Sequence, residues 1–389
     1  MKVGPVLGVK GAFMKTSAQK LFSKFQSRVQ ASVGIGLCAL ALTTAGCNKQ
    51  PGSFSLLSDG NSFKQNDVEI NGKIDVLWVV DNSGSMQTSQ ENVAKNFSSF
   101  ISKFKDKGYD FRIAVITSDA YRVAPYVGAS ADRAKFRDGA NGKNSGVFVI
   151  NPDTPNLEQT FITNIMQGIY GSGDERAFSS IEWALDSTQN APYIPSDFLR
   201  EGAFLAVIIV SDEDDFSYDG GSLNENYSDT RMHKVQRYVE YLDQKMKVVD
   251  GARSSKYNVN AISILDDSCR LQLDPGGNGA QKIGRRYIEL ADATGGVKGS
   301  LCSDFGSTLA DISSKIIQLR SKFYLGGEPN PETIRVIVNG QEIPRVVPGV
   351  QEGGFIYDSS DNSIMFVGDG YTPGPGANIQ VSFDPKGLR

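Results

Sequence analysis

The chain has 389 residues, 40% hydrophobic and 22% charged, ordinary proportions for a globular protein and length enough for two domains with a sizeable core. Its formal net charge is −4, from 40 basic and 44 acidic residues. The first 46 residues hold six of the basic residues and no Asp or Glu, so the remainder carries 34 basic against 44 acidic residues, net −10. That balance excludes nucleic acid, whose binding needs a concentrated basic patch, and argues against direct docking on anionic membrane surfaces.

The six early cations are Lys2, Lys10, Lys15, Lys20, Lys24 and Arg28. They precede "ASVGIGLCALALTTAG", an apolar run of 16 residues rich in small side chains and too short for a comfortable membrane span. A basic region, a short apolar region and small residues ahead of a cut site form a secretory signal over residues 1–46, with Met14 as a second start that leaves a signal of ordinary length. "TTAGC" resembles a bacterial lipobox, with Ala45 and Gly46 small as required and Thr44 where Leu is usual. The resemblance implies lipidation at Cys47 and anchoring in the bacterial cell envelope, at the outer membrane on its periplasmic or surface face; plain secretion and a retained anchor are the alternatives. In the lipidated form each buried CH₂ contributes about 0.8 kcal/mol to the attachment. Residues 47–69 are polar and Gly/Ser/Asn-rich, and read as a flexible tether.

Next comes "KIDVLWVV" (73–80), a near-continuous apolar run of the kind a strand buried on both faces of a parallel sheet requires. Val93, Phe97, Phe100, Ile101 and Phe104 recur at helical spacing and predict a helix over 87–106. "FRIAVITS" (111–118) reads as a strand, and the Gly/Asp-rich stretch 120–155 as loop with a short hairpin at "GVFVI". Helical patterns occupy 157–168 and 176–187. "AFLAVIIV" (203–210) is the most apolar strand. Residues 231–247 read as helix, 257–265 as strand, and 281–293 and 306–322 as helices, the last with Leu309, Ile312, Ile316 and Leu319 in phase. Strands alternating with helices predict a doubly wound α/β domain over 70–325, with a mostly parallel sheet and right-handed crossovers. Beyond Gly326 the pattern changes. "TIRVIVNG" alternates and ends in an Asn-Gly turn signal, and "NSIMFV" and "NIQVSF" alternate likewise, so 326–389 reads as a small antiparallel, sandwich-like β module.

In an open parallel sheet, ligands bind beyond the carboxyl ends of the strands. "DNSGS" places Asp81, Ser83 and Ser85 just past the end of the first such strand, and "SDEDD" places Ser211 and Asp212 just past the most apolar one. Carboxylates and hydroxyls are hard oxygen donors, suited to Mg²⁺, Mn²⁺ or Ca²⁺. The bland alternative is a turn with a helix cap beside a solvated acidic loop.

"DNSGS" matches the Asp-x-Ser-x-Ser signature of von Willebrand factor type A domains, and the resemblance covers residues 70–325. It implies a Rossmann-like sheet with a metal-ion-dependent adhesion site, in which Asp81, Ser83 and Ser85 coordinate the ion and Asp212 acts through water. The family supplies a Thr from a later loop; here that loop reads "GIYGSGDERAFSS" without Thr. Ser172, Asp174 or Glu175 could take its place, although Ser172-x-x-Glu175 also reads as a capping box. A neutral donor leaves the cation seeking an Asp or Glu carboxylate from a protein partner, whereas a third carboxylate weakens that demand. The expected protein is thus a non-enzymatic envelope lipoprotein that grips a partner through Mg²⁺. A metal-stabilised structural scaffold and, more distantly, a metal-dependent hydrolase are the other readings. Asp-x-Asp phosphotransfer chemistry would need a carboxylate where Ser83 stands, and Ser-His hydrolysis has only His233 to draw on.

Asp214, Asp215 and Asp219 could form a second cation site, although their spacing is not that of an EF-hand. "DPGGNGAQ" (274–281) lacks the Lys-Ser/Thr of a phosphate loop. Of four cysteines, Cys38 lies in the signal and Cys47 is the lipid site. Cys269 and Cys302 remain for a disulfide in an oxidising compartment, closing a loop of about 34 residues for roughly 3–4 kcal/mol. Two free thiols or a zinc site are the alternatives.

Overall fold

The computed structural model describes residues 55–56, 63–186, 198–249, 252–277, 279 and 281–387. The signal segment 1–46 and Cys47 lie outside the described residues. In chain order, β1 (Ser55–Leu56) and β2 (Phe63–Glu69) precede β3 (Lys73–Val80), α1 (Gln87–Asp106) and β4 (Asp110–Thr117). A hairpin of β5 (Gly139–Ala140) and β6 (Lys143–Asn144) comes before α2 (Leu157–Ile165) and α3 (Ala177–Leu185). Then follow β7 (Phe204–Ser211), α4 (Val235–Lys245), β8 (Tyr257–Ser263), α5 (Asp267–Leu273), α6 (Arg285–Thr294), β9 (Lys298–Ser300) and α7 (Phe305–Arg320). The last strands are β10 (Phe323–Tyr324), β11 (Arg335–Val338), β12 (Gln341–Ile343), β13 (Gly354–Asp358), β14 (Ser363–Val367) and β15 (Asn378–Phe383).

Five strands pair in parallel in the order β4-β3-β7-β8-β9, a mixed α/β fold with its sheet at the centre. Alternate residues of β3 serve opposite faces. Val76, Trp78 and Val80 pack with Phe97, Phe100 and Phe104 of α1, Phe161 of α2 and Leu309, Ile312 and Ile316 of α7. Leu77 and Val79 pack with Phe178 and Ile181 of α3, Tyr238 and Leu242 of α4, and Tyr287 and Leu290 of α6. This two-sided burial is why the strands read as continuous apolar runs. On the first face Phe97 stacks on Phe161 at 3.6 Å between ring centroids, and Trp78 meets Phe100 edge-on at 5.5 Å.

One charged residue interrupts β3. Asp75 is buried and accepts from the Arg200 backbone N–H and Nε, both at 2.8 Å. Arg200 also donates to the Asp110 carboxylate (2.6 Å) and to the Asp110 carbonyl (2.7 Å), tying together the amino ends of β3 and β4.

The C-terminal strands form two antiparallel sheets, β1-β2-β15-β11-β12 and β10-β14-β13, around a shared core that includes Val336, Phe355, Phe366, Ile379 and Val381. The Asn-Gly signal makes the β11–β12 turn, with positive φ at both Asn339 (50°) and Gly340 (83°), the conformation of the favoured hairpin turn. Lys107 Nζ, at the end of α1, donates to the carbonyls of Asp369 (2.9 Å) and Thr372 (3.1 Å).

Four features differ from the sequence expectation. Phe63–Glu69, expected in a tether, is strand β2 and pairs with β15 from the far end of the chain; local polarity hides a strand whose partner is so distant. The hairpin lies at 139–144 instead of "GVFVI", where Ile150 makes a lone antiparallel bridge to Ile113 at the sheet edge. Helix α5 carries no signal because Leu271 and Leu273 are exposed; the Asp266 side chain caps it through Cys269 N at 2.9 Å. His233, expected within a helix, precedes α4. Cys269 and Cys302 are disulfide-bonded, with Cα atoms 5.6 Å apart, as the default reading held.

Replacing Arg200 by Met would leave Asp75 buried without its cation, and should cost about 3–5 kcal/mol of unfolding free energy. Urea denaturation read by tryptophan fluorescence checks this, and a loss under about 1 kcal/mol would show that Asp75 does not depend on Arg200.

Candidate metal centre

The strand order makes the site. β4 lies on one side of β3 and β7 on the other, so the loops leaving β3 and β7 part at a topological switch point. Asp81 and Asp212 stand at those two strand ends, as the sequence predicted. Asp81 N donates to Val210 O (3.0 Å), which sets its backbone against β7. Its carboxylate accepts from Ser83 N (2.8 Å) and from Ser211 Oγ (2.6 Å).

Three loops converge there. Gly171 N donates to Asn82 O at 2.7 Å, and a Cβ on Gly171 would fall 2.5 Å from the Asn82 side chain, so only glycine permits this approach. Phe216 N donates to Glu175 O (2.8 Å), linking the 172–176 loop to the acidic loop after β7. The buried Gln90, on the first turn of α1, donates to Asp81 O (3.0 Å) and to Gly168 O (2.9 Å).

The expected donors fall into distinct groups. Ser83 is 4% exposed and its Oγ has no hydrogen-bond partner. Asp212 is also 4% exposed, with one carboxylate oxygen unpartnered; the other faces Gln281 Nε2 at 3.5 Å. Ser85 is exposed, with its hydroxyl near enough to Asp212 to favour the anion. In the third loop Asp174 is already engaged, forked onto Arg176 at 3.0 and 2.7 Å. Ser172 accepts from Asp174 N (3.1 Å), and α3 begins without a side-chain cap, so the capping box does not form. Glu175 is 1% exposed, and neither of its carboxylate oxygens makes a hydrogen bond; the Ser118 hydroxyl is near enough to favour its anion without closing one.

Burial, reinforced by the neighbouring Asp212 charge, pushes the Asp81 carboxyl up to about 7. Burial and the Asp81 charge push Glu175 well above the usual carboxylate range and Glu213 to about 8. Buried polar groups are normally satisfied. Here several unpartnered oxygens gather with mutually repelling acids, a donor set that suits a hard divalent cation. Among the described residues no three His, Cys, Asp or Glu side chains already surround one point.

The remaining acids of "SDEDD" are structural. Asp215 accepts from Phe178 N (2.9 Å) at the start of α3 and pairs with Arg286 (3.3 Å). Asp214 accepts from Arg286 N (3.0 Å) at the start of α6. Both carboxylates thus sit where helix N-termini favour negative charge. Asp219 lies apart, 3.4 Å from His233 Nε2, so the three do not form a second cation site. A cleft of about 230 Å³ lined by Ser179, Glu182, Trp183, Asp186, Asp219 and Arg237 also lies away from the cluster.

Sequence reasoning missed Ser211 as the donor to Asp81, Gln90, Glu213 and the loop clamp Arg176. Gln90 carried a usable signal, a polar residue in phase with the buried Val93, Ala94 and Phe97. Arg176 is fully buried between the Tyr121 and Tyr218 rings (4.7 and 4.2 Å) and donates to the carbonyls of Tyr218, Gly220 and Ser222. Nothing local announces that role.

These raised acids have a consequence for stability. Between the unfolded values of 3.8 and 4.5 and the folded values of about 7 and 8, the native state holds more protons than the unfolded chain at Asp81 and Glu213. Their contribution to stability therefore falls as pH rises through that window. A divalent cation should offset the loss, so melting temperatures in Mg²⁺ and in EDTA should diverge from pH 5 towards pH 8 by about 4 °C or more. Parallel curves across that range would mean that the ionised acids gain nothing from the cation.

No protein-family model matches the sequence, and no curated protein is similar to it. Among solved structures, the pilus adhesin SpaC of Lactobacillus rhamnosus GG is similar at 11% identity and a TM-score of 0.35, over 85% of this chain and 42% of that one. The adhesive tip pilin of Streptococcus agalactiae follows at 10% identity and 0.30, over 86% and 85%, and proximal thread matrix protein 1 of the mussel byssus at 12% and 0.35, over 67% and 51%. The chain thus spans about two-fifths of the length of SpaC. Likenesses this distant carry no argument about function.

Proposed function

We propose that residues 70–325 form a von Willebrand factor type A domain of doubly wound, Rossmann-like topology whose adhesion site binds Mg²⁺, with Mn²⁺ or Ca²⁺ as substitutes, and through it a protein partner in the bacterial cell envelope. The observation that carries this reading is the meeting of Asp81 and Asp212 at the β3–β7 switch point, with unpartnered oxygens on Ser83, Asp212 and Glu175 around them. Asp81, Ser83 and Ser85 would hold the ion, Asp212 would act through a bound water, and the ion would supply an electrostatic link to an oxygen of the partner. Binding is favoured over catalysis because the sole histidine, His233, is engaged with Tyr238 Oη (2.7 Å) and Asp219 and is not among the groups around Asp81.

Lipidation at Cys47 would hold the protein at the outer membrane. Among the described residues no helix is long and apolar enough to cross a membrane. The β module packs near the end of α1 remote from Met86, and β3 spans roughly 26 Å between its two ends.

Residues 48–389, immobilised as bait on solubilised envelope, should retain a partner in Mg²⁺ and lose at least about 90% of it in EDTA or with Ser83→Ala, a loss of about 1.4 kcal/mol or more. Equal retention under all three conditions would move the binding surface elsewhere. If melting temperature followed Mg²⁺ while retention did not, the cation would be a structural staple in a scaffold.

A further inference from the structure

We infer that Glu175 makes this a charge-saturated cation site, whose open position takes a neutral oxygen of the partner (a backbone carbonyl, a side-chain amide or a hydroxyl) instead of a carboxylate. The inference rests on the cation-site reading above and deepens it by naming the class of ligand the partner must offer.

The argument begins with what each candidate in the third loop is already doing. Asp174 is held by both edges of the Arg176 guanidinium and accepts from Tyr121 Oη (3.1 Å). Ser172 is half-exposed and turned to Asp174 N. Glu175 alone is buried with both oxygens unengaged. Nearby cations are committed elsewhere: Arg176 to Asp174, Arg286 to Asp215 (3.3 Å), and Lys282 to Glu225 (3.0 Å) and Glu213 (3.8 Å). A carboxylate taken out of water without donors is costly, and a cation in the adjoining loop is the partner it lacks.

Counting charge then decides the ligand class. Asp81, Asp212 and Glu175, ionised against the cation, bring three negative charges to a divalent ion, which leaves the occupied site at −1 before any partner arrives. With a neutral residue in place of Glu175, the same ion would be balanced by two carboxylates. A partner carboxylate would thus enter as an additional acid in a water-poor site, where like charges repel strongly. A neutral oxygen completes the shell without that penalty. Among the described residues no three acids surround one point, so the inference requires Glu175 to turn towards the ion, which its lack of hydrogen bonds permits.

Mn²⁺ titration of the purified protein, with free Mn²⁺ read by electron paramagnetic resonance and acetate as a stand-in for a partner carboxylate, tests the inference. Wild type should bind Mn²⁺ with an affinity that tens of millimolar acetate leaves unchanged. Glu175→Thr should bind at least about tenfold more weakly, because ligand charge count tunes affinity, and acetate should restore several-fold of the loss. The isosteric Glu175→Gln should weaken binding similarly, and melting in EDTA verifies that each variant is folded. Unchanged affinity in both variants, or acetate strengthening wild type as much as Glu175→Thr, overturns the inference and leaves the cation site standing. Failure of folded wild type to take up Mn²⁺ overturns the cation-site reading itself.

Discussion

The parallel pairing of β3 with β7, in register from Ile74–Phe204 to Val80–Val210, is the constraint on which the rest of the molecule depends. Both strands are buried on both faces, so a slip by one residue would exchange the side chains that meet α1 with those that meet α3. The same register carries Asp81 just past the end of β3 and Ser211 to the last position of β7, close enough for a 2.6 Å hydrogen bond. Core and site are thus specified together.

So many acids in one crevice are tolerable because several of them have structural partners. Asp174 is held by Arg176, and Asp214 and Asp215 by the N-termini of α6 and α3 and by Arg286. Subtracting these leaves Glu175 and Asp212 as the acids with unengaged buried oxygens, beside the unpartnered hydroxyl of Ser83. Acidity alone would not separate scaffold from site; unmet hydrogen bonding does. Arg176 adds a mechanical element, because its contacts to Tyr218, Gly220 and Ser222 hold the third loop against the acidic loop and keep the Glu175 backbone in place.

The β module uses the chain from both ends. β2, just before β3, pairs with β15, the last strand among the described residues, and Lys107 joins the end of α1 to the 369–372 turn. Closing such a long loop costs entropy, which the shared apolar core of the two small sheets offsets.

Local chemistry made much of this legible. Continuous apolar runs predicted β3 and β7, helical periodicity predicted α1 and α7, and Asn339-Gly340 predicted the hairpin turn, because each signal is written within a few residues by burial or backbone preference. The placement of Asp81 and Asp212 at neighbouring strand ends was also readable, since alternating strands and helices confine such residues to one edge of the sheet. Other features depended on groups distant in sequence. β2 needed β15, Arg200 needed Asp75 from 125 residues earlier, and the choice among Ser172, Asp174 and Glu175 turned on which had a partner in space. The sequence by itself determined which segments are buried and where hard oxygen donors cluster. Only the tertiary structure decided which donors are already satisfied, because hydrogen bonding and desolvation depend on neighbours that the chain supplies from elsewhere.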